Sequence, residues 1–387
     1  MHQPSDKAQE IITALGAFIE DEIKPLERRE GLAWGQSVPR PLLRQVWQRS
    51  CERSFYNILL PASLGGADLN VSEVCAVKEA AVLSGAILAP HVLGELSGPP
   101  RVGHLFKVAS PEQVEGFLRP ICRAEKAVCF ALTEAEAGSD ASAISTVARR
   151  DGDDYVLTGA KRYISGASYA DAAVLLAVTG PGKGASGISA FFVDLHAPGV
   201  RVEADYAVMS GGGAHGDIHL SDVRVPVANR IGEEGQGFKL AMGRITLNRL
   251  LHCPTLLGLA GLALKLSIDH ARTRKQFGQP IAMFQAVNHM IADMATELQA
   301  ARSLVYATAA LNDAGGDIKV QAPMCKLFVS EVAFRIADKA VQVHGGAGLM
   351  QGHPVEWIFR ATRMMRILTG TSEIQRNTIA KGILMPS

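Results

Sequence analysis

The hydrophobic pattern of this 387-residue chain changes period twice, and that switch limits the fold more than any single motif. Ile11, Ile12, Leu15, Phe18, Ile19 and Ile23 recur at helical spacing, and Pro25 is expected to end the pattern. Residues 72–88 and 111–119 also predict helices, separated by the Ser97-Gly98-Pro99-Pro100 link. From Ala127 to Val227 the texture becomes short β-type runs: Val156–Thr158, Ala172–Val178, Ile188–Leu195 and Ile218–Val225. Clusters of Gly, Asp, Ser and Pro divide them. Helix returns at Gly237. There Phe284, Val287, Met290, Ile291, Met294, Leu298, Ala301, Leu304 and Val305 form one long apolar stripe, as a bundle helix needs. The expected architecture is α+β: a helical unit over 1–125, a β unit over 126–230 and a helical bundle over 231–387.

Composition narrows the function classes. A chain 48% hydrophobic and 20% charged can build a packed core, which excludes disorder. Lys+Arg is 39 against Asp+Glu 38, so broad electrostatic binding to nucleic acid or to an anionic membrane is not expected, while a local basic pocket stays open. The N-terminal MHQPSDKAQE lacks the basic-then-apolar pattern of a secretory signal. The longest unbroken apolar stretch, Leu256–Leu264, falls short of the roughly 20 residues that span a bilayer, so no membrane insertion is expected. Six cysteines without a CxxC pair read as reduced thiols of a cytoplasmic protein. His215 and His219 flank a Gly-rich turn. Without a third ligand at a sensible spacing they read as solvent-facing loop residues and not as a metal site.

Glycine is abundant, at 38 residues, and its motifs carry unequal weight. Gly180-Pro-Gly182-Lys-Gly184-Ala-Ser-Gly187 superficially resembles a dinucleotide fingerprint. That fingerprint needs a helix directly after it, and the run here leads into the strand pattern Ile188–Leu195, so a hairpin loop is expected. Thr133-Glu-Ala-Glu-Ala-Gly138-Ser139-Asp140 follows the apolar run Val128–Leu132, a position from which backbone N–H groups can meet a polar ligand. His344-Gly345-Gly346-Ala347-Gly348 ends a helical stretch, where glycine permits a left-handed helix end or close approach of backbone to a pyrophosphate. Arg274-Lys-Gln276-Phe277-Gly278 ends another, offering a guanidinium and an aromatic face.

Taken in order, these motifs resemble the acyl-CoA dehydrogenase family over nearly the whole chain. The stretches are Cys129-FALTEAEAGSDA-Ser142, Lys161-RYISG-Ala167, Val223-RVP-Val227, Gly232-EEGQGF-Lys239, Arg274-KQFGQP-Ile281, Ala340-VQVHGGAG-Leu349 and Gly370-TSEIQ-Arg376. The resemblance implies an N-terminal helical domain, a β-barrel-like middle domain and a C-terminal four-helix bundle, assembled as a homotetramer. It implies FAD between the β domain and the bundle, an acyl-CoA or acyl-carrier-protein thioester as substrate and an electron-transfer flavoprotein as redox partner. Leu132, Thr133 and Ser139 match the loop bordering the flavin, with Ser139 also on the substrate side. Tyr163 and Ser165 match the aromatic and hydroxyl residues beside the ring. Arg274 and Phe277 match residues reaching the partner's FAD, Gln342, Gly345 and Gly346 the adenosine diphosphate turn, and Thr371 and Glu373 the closing FAD contacts. Arg249 and Gly370 match the thioester site.

The catalytic base breaks the resemblance. The family removes an α-proton with a carboxylate while the flavin takes the β-hydride. At the two positions where members place that Glu, this chain has Thr369 and Asn248, neither of which is a base at neutral pH. His91 and Glu95, four apart on an expected helix in the region walling the acyl pocket, are the candidate replacements. Their other readings are an interfacial histidine and a solvated glutamate. Two further functions stay open: a flavin-dependent oxygenase or oxidase, which needs no α-base, and a weakly active FAD-binding partner subunit.

Overall fold

The computed structural model describes residues 4–96, 98–180, 184–203, 206–212 and 214–385. Met1–Gln3 of the N-terminal stretch, Ser97 of the predicted link and Pro181–Lys183 of the glycine run lie outside the described residues.

The N-terminal part is helical: α1 (Asp6–Phe18), α2 (Lys24–Arg29), α3 (Arg40–Glu52), α4 (Val71–Leu83) and the single turns α5 (Ala89–Val92), α6 (Pro111–Gln113) and α7 (Arg119–Cys122). Pro25 does not end the first helical run. A π-helical turn over Ile19–Ile23 precedes it, and Pro25 then sits in the first turn of α2, where its missing N–H costs little. Helix α4 starts at Asn70, whose side chain accepts from Glu73 N while Glu73 accepts from Asn70 N, a reciprocal cap. Asp313, at the far end of the chain's longest helix, accepts further bonds from Val71 N (2.7 Å) and Ser72 N (2.9 Å).

An eight-stranded sheet follows, ordered β6-β7-β3-β2-β4-β5-β8 with β1 on β4. Its strands are β1 (Val128–Ala131), β2 (Val147–Asp151), β3 (Asp154–Ser165), β4 (Ala172–Val178), β5 (Ile188–Asp194), β6 (Val200–Val202), β7 (His215–Pro226) and β8 (Arg230–Ile231). The glycine run joins β4 to antiparallel β5, as the hairpin reading required. Strands β4 and β5 are apolar on both faces because both are covered. Ala173, Leu175, Phe191 and Val193 enter one core, and Val174, Leu176, Ala190 and Phe192 enter another shared with Leu105, Leu118 and Ala241. The second core brings the N-terminal part, the sheet and the first bundle helix together.

The bundle comprises α8 (Gly237–Leu251), α9 (Cys253–Thr273), α10 (Gln285–Asp313), α11 (Gln321–His344), α12 (Pro354–Met365) and α13 (Ser372–Leu384), with a hairpin of β9 (Lys275–Gln276) and β10 (Gln279–Pro280) between α9 and α10. Helix α9 packs on α11, α10 and α4. At Gly258 a Cβ would lie 2.7 Å from Val82 Cβ and 2.9 Å from Glu79 O, so α9 and α4 meet backbone to backbone. The run Gly237–Thr273 is long and apolar enough to cross a membrane by length and composition, with a mean hydropathy of 1.5. It is nevertheless 61% buried within the protein over that window, and α9 supplies much of the bundle core. The stripe on α10 is covered only from Met294 onward. Phe284, Val287, Met290 and Ile291 stay half-exposed.

Candidate functional site

Strand β1 delivers Leu132 and Thr133 to a loop that one buried ion pair holds down. Lys161 is fully buried on β3, and its Nζ donates to Glu134 Oε1 at 2.6 Å and to Leu132 O at 3.2 Å. Glu134 also accepts from Ser145 N (2.6 Å), Ser145 Oγ (2.8 Å) and Thr146 N (3.0 Å). Burial alone would raise the Glu134 carboxyl, but the Lys161 ammonium and these bonds hold it well below the usual carboxylate range. Arg162 N donates to Thr133 O at 2.8 Å and closes loop onto strand. Ser139 lies exposed at the loop's outer end.

Beside this loop, β3 carries a bulge between Lys161 and Ile164. Tyr163 sits on it at φ +56° and is 56% exposed. Its N–H donates to Asp217 Oδ1 at 3.0 Å, while Tyr206 Oη donates to Asp217 Oδ2 at 2.7 Å. The bulge therefore aims an aromatic ring outward from the sheet. Ser165 closes the strand with its Oγ 2.9 Å from His215 Nε2. His215 and His219 are thus not loop residues. Both lie on β7, His215 against Ser165 and His219 with its Nε2 3.2 Å from Glu203. Glu203, Asp217 and His219 approach one another, but the Asp217 oxygens are taken by Tyr163 and Tyr206, so the group forms a hydrogen-bonding network.

The bundle supplies the facing groups. Thr369 follows α12 at φ +55°, an uncommon conformation for a β-branched residue. Its Oγ1 lies 3.0 Å from Nε2 of His252, the residue joining α8 to α9. His252 is deeply enclosed. Burial first, then the charges of Lys78, Arg244, Arg101 and Lys326, push its pKa down to about 3, so its imidazole is neutral. Lys326 Nζ donates to Gly370 O at 2.8 Å, and Gln375 Nε2 donates to Thr369 O at 3.1 Å. Arg249, one turn before His252, has a buried Nε without a partner. Asn248 contributes its backbone O to His252 N at 2.9 Å. Arg101 bridges the two walls: its Nη1 donates to Ser165 O at 3.5 Å, and its charge bears on His252.

The sequence-selected base candidates lie differently from expectation. Helix α5 ends at Val92, and Gly94 at φ +63° separates it from Glu95, so His91 and Glu95 share no helix face. His91 is buried against Trp47, whose Nε1 donates to its Nδ1 at 3.4 Å. Burial and then Arg101 push its pKa down to about 4. Glu95 is bound to Lys78 at 3.2 Å, and Lys78 also donates to Leu251 O. His252 was not signalled by spacing. Its only sequence cue is its place just after Arg249 and just before Cys253-Pro254, a helix junction.

The remaining selected residues lie on open surfaces. Gln342 and Gly346 are exposed at the end of α11. Gly345 has φ +56°, and a Cβ at either glycine would meet nothing within 4 Å. Phe277 and Gly278 both have positive φ at the tip of the β9–β10 hairpin, the requirement of a type I′ turn, and Phe277 is 93% exposed. Arg274 ends α9 beside it. Thr371 caps α13, its Oγ1 accepting from Ile374 N at 3.3 Å, and Glu373 is exposed in that first turn.

The end of β3 presents an outward aromatic ring and a hydroxyl, and comparison with known proteins gives the class to which this arrangement belongs. Residues 129–223 match the acyl-CoA dehydrogenase middle domain, and residues 235–384 match the acyl-CoA dehydrogenase C-terminal domain. The caffeyl-CoA reductase–Etf complex subunit CarC of Acetobacterium woodii is 40% identical over 346 residues, 88% of this chain and 90% of that relative. The acryloyl-CoA reductase (NADH) of Anaerotignum propionicum is 36% identical over 345 residues, 87% and 86% of the two chains. The structure of butyryl-CoA dehydrogenase from Megasphaera elsdenii superposes with a TM-score of 0.87 at 28% identity, covering 99% of this chain and 100% of that one. The chain belongs to the acyl-CoA dehydrogenase family. It is an oxidoreductase of that type, with FAD as its cofactor.

Proposed function

We propose that this enzyme interconverts saturated and α,β-unsaturated acyl-CoA thioesters, with the His252–Thr369 pair moving the α-proton in place of the family's glutamate. The observation that carries this reading is the 3.0 Å contact between Thr369 Oγ1 and His252 Nε2, at the position where the resemblance expects the base. FAD supplies the exchange of hydride at the β-carbon. Leu132, Thr133, Ser139, Tyr163 and Ser165 would hold its ring, and Gln342, Gly345, Gly346, Thr371 and Glu373 would hold its diphosphate end. The open glycine backbone at 345–346 and the outward Tyr163 ring fit a planar, dinucleotide-bearing ligand. Arg249, with an unpartnered Nε, would offer a donor to the thioester carbonyl. The neutral imidazole can accept a proton passed through the threonine hydroxyl. The cations around it keep it a weak base until negative charge develops on the substrate beside it.

Direction and partners follow from the relatives. Relatives named as a caffeyl-CoA reductase–Etf complex subunit and an acryloyl-CoA reductase support reduction of an activated double bond, with an electron-transfer flavoprotein as donor. Half-exposed Val287, Met290 and Ile291, with exposed Phe277, Met283, Leu349 and Met350, support a homotetramer in which Arg274 and Phe277 reach a neighbour's FAD. Six free cysteines support a cytoplasmic location.

The deciding experiment is anaerobic mixing of the FAD-loaded enzyme with acyl-CoAs, and of its reduced form with enoyl-CoAs, followed by the flavin absorbance. Wild type should exchange electrons with at least one pair. His252→Gln should slow that exchange by about 100-fold or more with the flavin still bound. An unchanged rate in the variant rejects the pair as proton carrier. Substrate-coupled, rapid reoxidation by air would indicate an oxygenase, and thioester binding without electron exchange would indicate a partner subunit.

A further inference from the structure

The charge balance around His252 is unusual. Four cations, Lys78, Arg244, Arg101 and Lys326, bear on one half-buried imidazole. Among the described residues only Lys78 has a carboxylate at ion-pair distance, Glu95 at 3.2 Å. Glu331 is engaged by Arg366 at 3.0 Å and by Ser372 Oγ at 2.9 Å. Among the described residues no carboxylate pairs with Arg101, Arg244 or Arg249. Arg101 spends its donors on two neutral carbonyls, Glu95 O at 3.3 Å and Ser165 O at 3.5 Å. Arg244 lies with its guanidinium 5.4 Å from the centre of the Phe130 ring, and its buried Nε has no partner. Burial and then Arg101 push its pKa down to about 9, and its own charge helps keep neighbouring His104 neutral.

Guanidiniums held partly out of water without a carboxylate are costly, and that cost falls when an anion enters their fork. In this family the missing glutamate would have supplied the negative charge. Thr369 and Asn248 remove it from both of its usual places. The oxidised flavin ring is neutral and becomes anionic only once reduced, and the FAD diphosphate is assigned above to the turn at residues 342–346. The phosphates of CoA lie a full pantetheine away from the reacting carbons. An anion on the acyl group would meet these guanidiniums in either redox state of the flavin.

We propose that the acyl pocket takes a thioester whose acyl chain carries its own carboxylate, held by Arg244 and Arg101 beside the His252–Thr369 pair. This substrate class rests on the acyl-CoA reading above. The carboxylate also places a negative charge close to His252, so the substrate itself raises the basicity of the imidazole it needs.

The test is titration of the FAD-loaded enzyme with ω-carboxyacyl-CoAs (succinyl, glutaryl and adipoyl) against the uncharged butanoyl-, pentanoyl- and hexanoyl-CoA, reading binding from the perturbed flavin spectrum. At the best chain length the carboxylate should bind about tenfold tighter or more. Arg244→Gln should reduce that ratio to near unity, and Arg244→Lys should restore part of it. Equal or weaker binding of every carboxylate by wild type overturns the proposal without any variant. So does a preference that survives both Arg244→Gln and Arg101→Gln. A retained carboxylate preference without electron exchange in either direction would overturn the proposed interconversion of saturated and unsaturated thioesters and leave the anion pocket standing.

Discussion

Thr369 concentrates the chemistry of the site in one residue. A β-branched side chain in the left-handed region costs on the order of 1–3 kcal/mol, and such strain persists only where neighbours over-determine it. Here the neighbours are His252 at its hydroxyl and Gln375 at its carbonyl. Thr369→Val keeps the branch and deletes the hydroxyl, leaving His252 Nε2 buried and unpaired. Urea unfolding should show a loss of about 1–3 kcal/mol, and no loss would mean that the hydrogen bond is not made in solution. Thr369→Glu removes the branch and returns a carboxylate to a cationic site. It should speed flavin reduction by uncharged straight-chain acyl-CoAs by about tenfold or more, while weakening any ω-carboxylate by like-charge repulsion. Threonine at 369 and the absence of the glutamate were readable from the sequence, because the Gly370–Arg376 motif sets the register. Its partner was not. His252 lies 117 positions away and meets Thr369 only because α8, α9 and the turn after α12 converge.

Among the elements, the loop after β1 shows how a fold holds a site edge still. Glu134 and Lys161 are both buried and both fully bonded, so the pair gives little net stability while intact. Breaking one side leaves a bare charge. Lys161→Met should therefore cost about 3–5 kcal/mol and loosen FAD, whereas replacing both partners together, Glu134→Gln with Lys161→Met, should recover most of that loss. Equal stability of the single and double variants would contradict the account. Both residues stand inside motifs quoted from the sequence, yet their mutual contact needs the antiparallel closure of loop on strand, which spacing does not encode. Two other elements show the limits of periodicity. Pro25 reads as a stop, but a π turn absorbs it and the helical run continues. The α10 stripe reads as one buried face, but its first half, Phe284 to Ile291, stays half-exposed. Strands β4, β5 and β7 were legible because each is a short β-type run bounded by Gly, Asp, Ser or Pro clusters.

For the whole molecule, one buried and two half-buried histidines set the acid limit. The pKa values of His252, His91 and His104 are lowered to about 3, 4 and 4, in each case first by burial and then by nearby cations. In the unfolded chain each titrates near ~6.5. Between that value and the folded pKa the unfolded chain binds protons that the folded chain refuses, so stability falls as pH drops below ~6.5. It is unaffected by these groups above that pH. The slope is at most about 1.4 kcal/mol per pH unit for each histidine, and denaturant midpoints between pH 7.5 and 5 should show it. A flat profile would mean that these rings are hydrated in solution.

Gly258 acts at the same scale, as a spacer gauge. With no Cβ, it lets α9 rest on α4 against Val82 and the Glu79 carbonyl, and α4 is the helix that carries Lys78 toward His252. An alanine there would act as a shim, widening the seam and moving Lys78 away from the imidazole. The proton affinity of the site is therefore adjusted by the thickness of a helix contact that touches neither substrate nor flavin.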